Sequence, residues 1–147
     1  MRDKQRMIDV ARRGKGAAGE DFSWADTPNL RLPYANLSRA SFTRAVLEKA
    51  NLQGADLRRA NFTEANLKGA NLRNANLYDA NFKNADLEGA DLEKSDLEDA
   101  NLEGANLQRA ILAHTDLTTA NLKAAKLDGA DLMMATLPPG WEEKQSS

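Results

Sequence analysis

Side chains suited to covalent or metal chemistry are scarce in this chain of 147 residues, which has one histidine, His114, and no cysteine. A His-based triad and a zinc site built on His or Cys therefore both lack members. Disulfides and thiol chemistry are excluded, although zero cysteine fits any redox compartment. No stretch resembles the phosphate-cradling patterns GxxxxGK[ST] or GxGxxG. Charge is what remains, and it is unevenly placed. Residues 1–73 carry 14 Lys/Arg against 8 Asp/Glu, while residues 74–147 carry 6 against 14, giving +6, −8 and the whole-chain −2. Seven carboxylates, Asp86, Glu88, Asp91, Glu93, Asp96, Glu98 and Asp99, crowd residues 80–99 beside only Lys83 and Lys94. Four arginines, Arg39, Arg44, Arg58 and Arg59, form the opposing basic group.

What positions these charges is a beat of five. From Ala35 the chain reads ANLSR, ASFTR, AVLEK, ANLQG, ADLRR and so on. With the Leu/Phe position as the centre, 24 units span residues 20–139, 23 of them centred on Leu or Phe, with Thr27 the exception. The slot two before the centre is Ala in 20 units, and the slot one before is Asn or Asp in 18. On an α-helix a step of five turns about 500°, so the leucines would define no face. On a strand, alternate spacings of two and three would flip them from face to face. The pattern works if the chain bends once per unit, with Ala and Leu inward and the next two residues outward. Asn and Asp side chains bond nearby backbone in such turns. Gly54, Gly69, Gly89, Gly104 and Gly129 occupy the last slot, where positive φ is tolerated.

The four phenylalanines, Phe22, Phe42, Phe62 and Phe82, lie twenty residues apart. Random placement in the central slots would put all four in one of four columns about 0.6% of the time, so four bends close one coil. Phe22, Phe42, Phe62 and Phe82 then stack, continued by Leu102 and Leu122. Six coils at roughly 4.8 Å give a rod of about 29 Å, a solenoid in which each coil touches its neighbours.

The repeated A-[DN]-[LF]-x-x resembles the pentapeptide repeat family over about 120 of the 147 residues. The resemblance implies an all-β fold, a right-handed quadrilateral β-helix, and binding or scaffold roles rather than catalysis. It also implies a second possibility, mimicry of duplex DNA toward DNA gyrase and other type II topoisomerases. Magnitudes weigh against full mimicry, since 29 Å of duplex would show about 17 negative charges, whereas this chain has a net of −2. The tail WEEKQSS also lacks the apolar dimerisation segment of the family's decoys.

Three regions follow: an N-terminal helical cap at 1–19, the repeat body at 20–139 and a C-terminal cap or tail at 140–147. Met7, Ile8, Val10 and Ala11 predict an amphipathic helix over about 3–13, ended by Gly14 and Gly16, folding onto the first coil near Trp24. Pro138, Pro139 and Gly140 stop the repeat, and Trp141 is expected to cover the last coil. No run approaches the roughly 18 apolar residues of a membrane span, and the N-terminus lacks the apolar stretch of a secretory signal. The chain is expected to be a cytoplasmic monomer without enzymatic activity, cofactor or metal. The basic group lacks interleaved aromatics, so direct nucleic-acid binding is not expected. Carboxylates on a convex rod also lack the cleft that shifts a pKa.

Expected binding surfaces are the acidic belt and the basic corner, presented to a protein partner not identified by sequence. An apolar patch at Ile111, Ala113, Met133 and Met134, with His114 outward beside it, reads as a partner contact or as the seat of a folded-back Trp141 segment. Ser95 and Thr115 replace inward Ala twenty residues apart, and their hydroxyls are expected to bond each other or backbone.

Overall fold

The computed structural model describes the backbone of residues 2–14 and 16–141, with side chains over that range except 2–4, 7, 11 and 12. Met7 and Ala11, expected on the apolar face of the cap, and the tail 142–147 lie outside the described residues.

Helix α1 spans Arg2–Arg13. It stops at Gly14, whose φ of +58° is the left-handed conformation that closes helices at glycine. Val10 packs against the core of the repeat body, and Arg6 pairs with Glu20. Trp24 is 67% exposed, with the Arg44 guanidinium 4.8 Å above its ring.

The body is a β-helix. Residue j pairs in parallel with residue j+20 from Asp21 through Thr136. We label the twenty-residue segments 1 (20–39), 2 (40–59), 3 (60–79), 4 (80–99), 5 (100–119) and 6 (120–139). The successive pentapeptides of each segment form sides 1 to 4. One unit shows how the bend is made. The Phe62 amide donates to the Asn81 carbonyl at 2.6 Å and the Glu64 amide to the Lys83 carbonyl at 2.9 Å, binding the segment below. The Asn61 amide donates to Ala40 above at 2.9 Å, and the Ala65 amide closes the turn on Phe62 at 3.0 Å. The Asn61 side chain accepts the Thr63 amide at 3.0 Å, which is why Asn or Asp recurs before the central residue.

The last slot of the unit takes positive φ whether or not it is glycine, with seventeen non-glycine residues between 55° and 64°. For an L-residue this conformation costs roughly 1–2 kcal/mol. The conformation aims the corner amide at a carbonyl of the next segment, as Glu64 at Lys83. Glycine has a further use at Gly54, where a Cβ would lie 2.4 Å from the Tyr34 ring; the aromatic lies flat over the corner below it.

Inside, Ala and Leu of every unit from Leu37 to Leu117 are buried, apart from the Ser95 and Thr115 substitutions. The phenyl rings stack with centroids 5.3, 5.0 and 4.9 Å apart, close to the separation of paired strands. Leu102 and Leu122 continue the column, 0% and 3% exposed. The bonding pattern also starts one unit before Glu20. Ala17 is buried, its amide donates to Asn36 at 2.7 Å, Gly19 donates to Ser38 at 2.8 Å, and Glu20 closes the turn on Ala17. "GAAG" at 16–19 thus belongs to a further unit, with Ala17 at its centre.

Nineteen of the twenty inter-segment steps have a backbone pair, and the one without it is Asp96 to Asp116 on side 4. This is also the only step that stacks Asp on Asp. Elsewhere stacked polar residues bridge, as Asn121 to Asn101 at 3.2 Å and Asn106 to Asp86 at 3.2 Å. Two carboxylates about 5 Å apart instead repel by about 0.8 kcal/mol in water, comparable to the net worth of the backbone bond they flank. The adjacent inward residues are Ser95 and Thr115. Thr115 Oγ1 donates to the Leu112 carbonyl at 2.6 Å, as expected. Ser95 departs from expectation: its hydroxyl is buried and has no partner. Alongside, the Asp99 amide has turned to the Thr119 hydroxyl at 2.9 Å, and Thr119 lacks the positive φ of its column.

Two stability measurements test this account. Phe62→Ala is expected to cost about 3–5 kcal/mol in chemical denaturation. Phe62→Leu should cost under about 1.5 kcal/mol, because the column already accepts Leu; equal losses would refute the ring column as the packing element. Asp116→Asn should let the new amide reach Asp96 as Asn106 reaches Asp86. The gain should be about 0.5–1 kcal/mol, with slower exchange at the Leu97 and residue-116 amides. Unchanged exchange would assign the opening to Ser95 and Thr115 instead.

Candidate functional site

The outward slots of each side form vertical columns, so a charge meets the residue twenty positions on. This arrangement neutralises much of the acidic belt. Lys68 lies 3.4 Å from Asp86 and 3.6 Å from Glu88, and Arg109 also pairs with Glu88. Arg73 contacts Asp91 at 3.2 Å and also pairs with Glu93. These four carboxylates are on sides 2 and 3. Asp96, Glu98 and Asp99, all on side 4, have no ion pair among the described residues, and Glu98 and Asp99 are fully outward.

The basic group divides as well. Arg44 belongs to side 1, where its Nε lies 2.5 Å from Glu64 and its guanidinium covers Trp24. The structure therefore does not join it to the other three. Arg58 binds Asp56 through two hydrogen bonds of 2.8 and 2.7 Å, and Arg59 lies 3.4 Å from Asp79. Arg39 has no ion pair among the described residues. Arg39, Arg58 and Arg59 frame a groove of about 500 Å³ on side 4, floored by Gly19 and Ser38 and bounded below by Tyr78. The Asp99 carboxylate, next to Tyr78, pushes its phenol above the ordinary value, with Asp79 and Glu98 adding to the effect.

Side 4 thus reads down its last slots as Gly19, Arg39, Arg59, Asp79, Asp99, Thr119, a column that changes sign at its middle. Its charges without an ion pair among the described residues are Arg39 above and Asp96, Glu98, Asp99 and Asp116 below. Two signals for this are in the sequence. Opposite charges twenty residues apart in the same slot occur at the paired groups Arg59/Asp79, Arg73/Glu93 and Lys68/Glu88. They are absent at Arg39, Glu98 and Asp99.

The apolar patch is not covered by Trp141. That side chain lies with Pro138 and Pro139 beside Ala120–Ala124 on side 1, whereas Met133 and Met134 on side 3 are 60% and 75% exposed. Ala113 is buried, Ile111 is half-buried and His114 is exposed. Among the described residues no cluster of three or more His, Asp or Glu could hold a metal ion, and no helix is long and apolar enough to cross a membrane.

The sequence matches the family profile described as pentapeptide repeats (8 copies) over residues 21–59, 60–99 and 100–137. The chain belongs to the pentapeptide repeat family. Among solved structures it is similar to the pentapeptide repeat protein Rfr23 from the cyanobacterium Cyanothece 51142. That match has 25% identity and a TM-score of 0.51, covering 90% of this chain and 98% of that one. It also matches alr5209, a pentapeptide repeat protein from Nostoc Pcc 7120, at 26% identity and TM-score 0.41, covering 84% and 93%. A further match is QnrB1, a plasmid-mediated fluoroquinolone resistance protein, at 19% identity and TM-score 0.25, covering 90% and 93%. A comparison with curated proteins finds no match.

Asp56 offers a direct test of the charge geometry. Arg58's side-chain hydrogen bonds hold its carboxyl below the ordinary value. A depressed carboxyl contributes stability that is present above its ordinary value, about 3.9, and is lost as pH falls through the folded value. Arg58→Ala is expected to return Asp56 toward about 3.9 in an NMR carboxyl titration. No change would place Arg58 away from Asp56 in solution.

Proposed function

We propose that the protein is a non-enzymatic interaction module, a right-handed rod of six coils capped by α1, whose partner docks on side 4. The observation that carries this reading is the distribution of unpaired charge. The outward charges of the belt on sides 2 and 3 are matched by neighbours twenty residues away, while Asp96, Glu98 and Asp99 are not. Unpaired charges on one face steer a partner of complementary sign and set its orientation. The rigid repeat supports this role, since each corner holds its outward side chain on a backbone bonded to the segments above and below.

Topoisomerase modulation by partial DNA mimicry is the second reading raised by the family resemblance. It asks for acid on several sides at about one charge per 1.7 Å. Here the four belt carboxylates of sides 2 and 3 are internally neutralised, which favours the first reading.

Affinity capture from a cell extract separates the surfaces. Asp96→Asn/Glu98→Gln/Asp99→Asn is expected to lose the partner that wild type recovers, while Asp91→Asn/Glu93→Gln keeps it. Equal recovery by all three proteins would retire side 4 as the docking face.

A further inference from the structure

The sign change on side 4 has a property that an acidic patch alone lacks: it is self-complementary. The outward pairs run Ala18–Gly19, Ser38–Arg39, Arg58–Arg59, Tyr78–Asp79, Glu98–Asp99 and Thr118–Thr119. A two-fold axis lying against this face, perpendicular to the rod and level with the gap between segments 2 and 3, inverts that order and leaves each column facing itself. Arg39 then meets Asp99 of a second rod, Arg59 meets Asp79, Ser38 meets Glu98, and Arg58 meets the ring of Tyr78. The small Ala18 and Gly19 meet Thr118 and Thr119. We propose that the protein pairs with a second copy of itself, antiparallel and side by side, through side 4. This rests on the reading of side 4 as the docking face and names its partner.

Three observations point to this occupant. Arg39 in segment 1 and Glu98 and Asp99 in segment 4 each lack an ion partner among the described residues, and the two-fold brings these opposite signs together. The groove framed by Arg39, Arg58 and Arg59 has about 500 Å³ for entering side chains, and it lies at the level where the two-fold delivers Glu98 and Asp99. The same face also rejects the parallel arrangement, which would set Arg39 level with Arg39 and Asp99 level with Asp99. An isologous contact requires that i meet j and j meet i, and this column satisfies it only when antiparallel. The expectation of a monomer rests on the polar tail, which bears on end-to-end contact and leaves the sides open.

The contacts are exposed ion pairs, each of small worth, so the pairing is weak, with Kd on the order of 0.1–1 mM at low salt. Screening shortens the reach of such charges from about 10 Å at 0.1 M salt to about 3 Å at 1 M. Sedimentation velocity of the full chain, from about 10 µM to about 1 mM, should therefore show dimer growing at low salt and lost near 1 M.

Charge reversal then tests the register. Arg39→Glu and Asp99→Arg should each weaken self-pairing by about tenfold or more. Mixed one to one, the two variants should form a heterodimer. The two altered side chains then face each other with opposite signs, and the second contact keeps Arg39 against Asp99. Both changes suit the corner, since Glu64 and Arg59 occupy the same kind of slot at φ 57° and 60°; far-UV circular dichroism checks the fold. A chain monomeric at all concentrations, a dimer indifferent to salt, or variants that fail to pair when mixed would each overturn the proposal. Capture of a different protein that depends on Asp96, Glu98 and Asp99, with no self-pairing, would overturn this inference and leave the interaction-module reading standing.

Discussion

The backbone of this protein satisfies its hydrogen bonds across a distance of twenty residues, and that requirement governs nearly everything else. An amide at a central position must find a carbonyl nineteen residues on, and an amide at the corner must find another on the same neighbouring segment. Both succeed only if four bends of equal size close the circuit. Equal bends need equal inward volume, hence Ala and Leu in almost every unit. They also need a corner residue at positive φ, hence the strained conformation of Arg, Lys, Asn and Glu alike. Side-chain preference is overruled because the alternative is a carbonyl and an amide left dry.

Within that frame, the outward residues have little influence on the fold and much on the surface. The stacking that aligns the phenylalanines also aligns Lys68 with Glu88 and Arg73 with Glu93. A ladder of charges therefore discharges itself at steps such as these. Of the seven carboxylates at residues 80–99, those left without an ion pair among the described residues are the three on side 4. Total acidity is a poor guide to such a surface.

The frame, the ring column and helix α1 are legible in the sequence because each is periodic or strongly amphipathic. The unit at 16–19 escapes because Ala17 stands where Leu is expected, and only its backbone bonds reveal it. The basic corner reads too wide because nearness in number is not nearness in space: Arg44 sits one corner on, beside Trp24. The placement of Trp141 depends on the path of the chain after Pro138 and Pro139, which no repeat dictates. Ser95 and Thr115 look like one adjustment, and both close the same turn, yet only the threonine hydroxyl bonds a carbonyl, that of Leu112.

The missing pair between Asp96 and Asp116 matters beyond its own step. In a stack whose layers touch only their neighbours, cooperativity passes through each joint in series, and the loosest joint fixes where the chain stops behaving as one unit. Segments 5 and 6 hang from segment 4 by three sides instead of four. Heat or tension would find that seam first and peel the far end away while the phenyl column stayed whole.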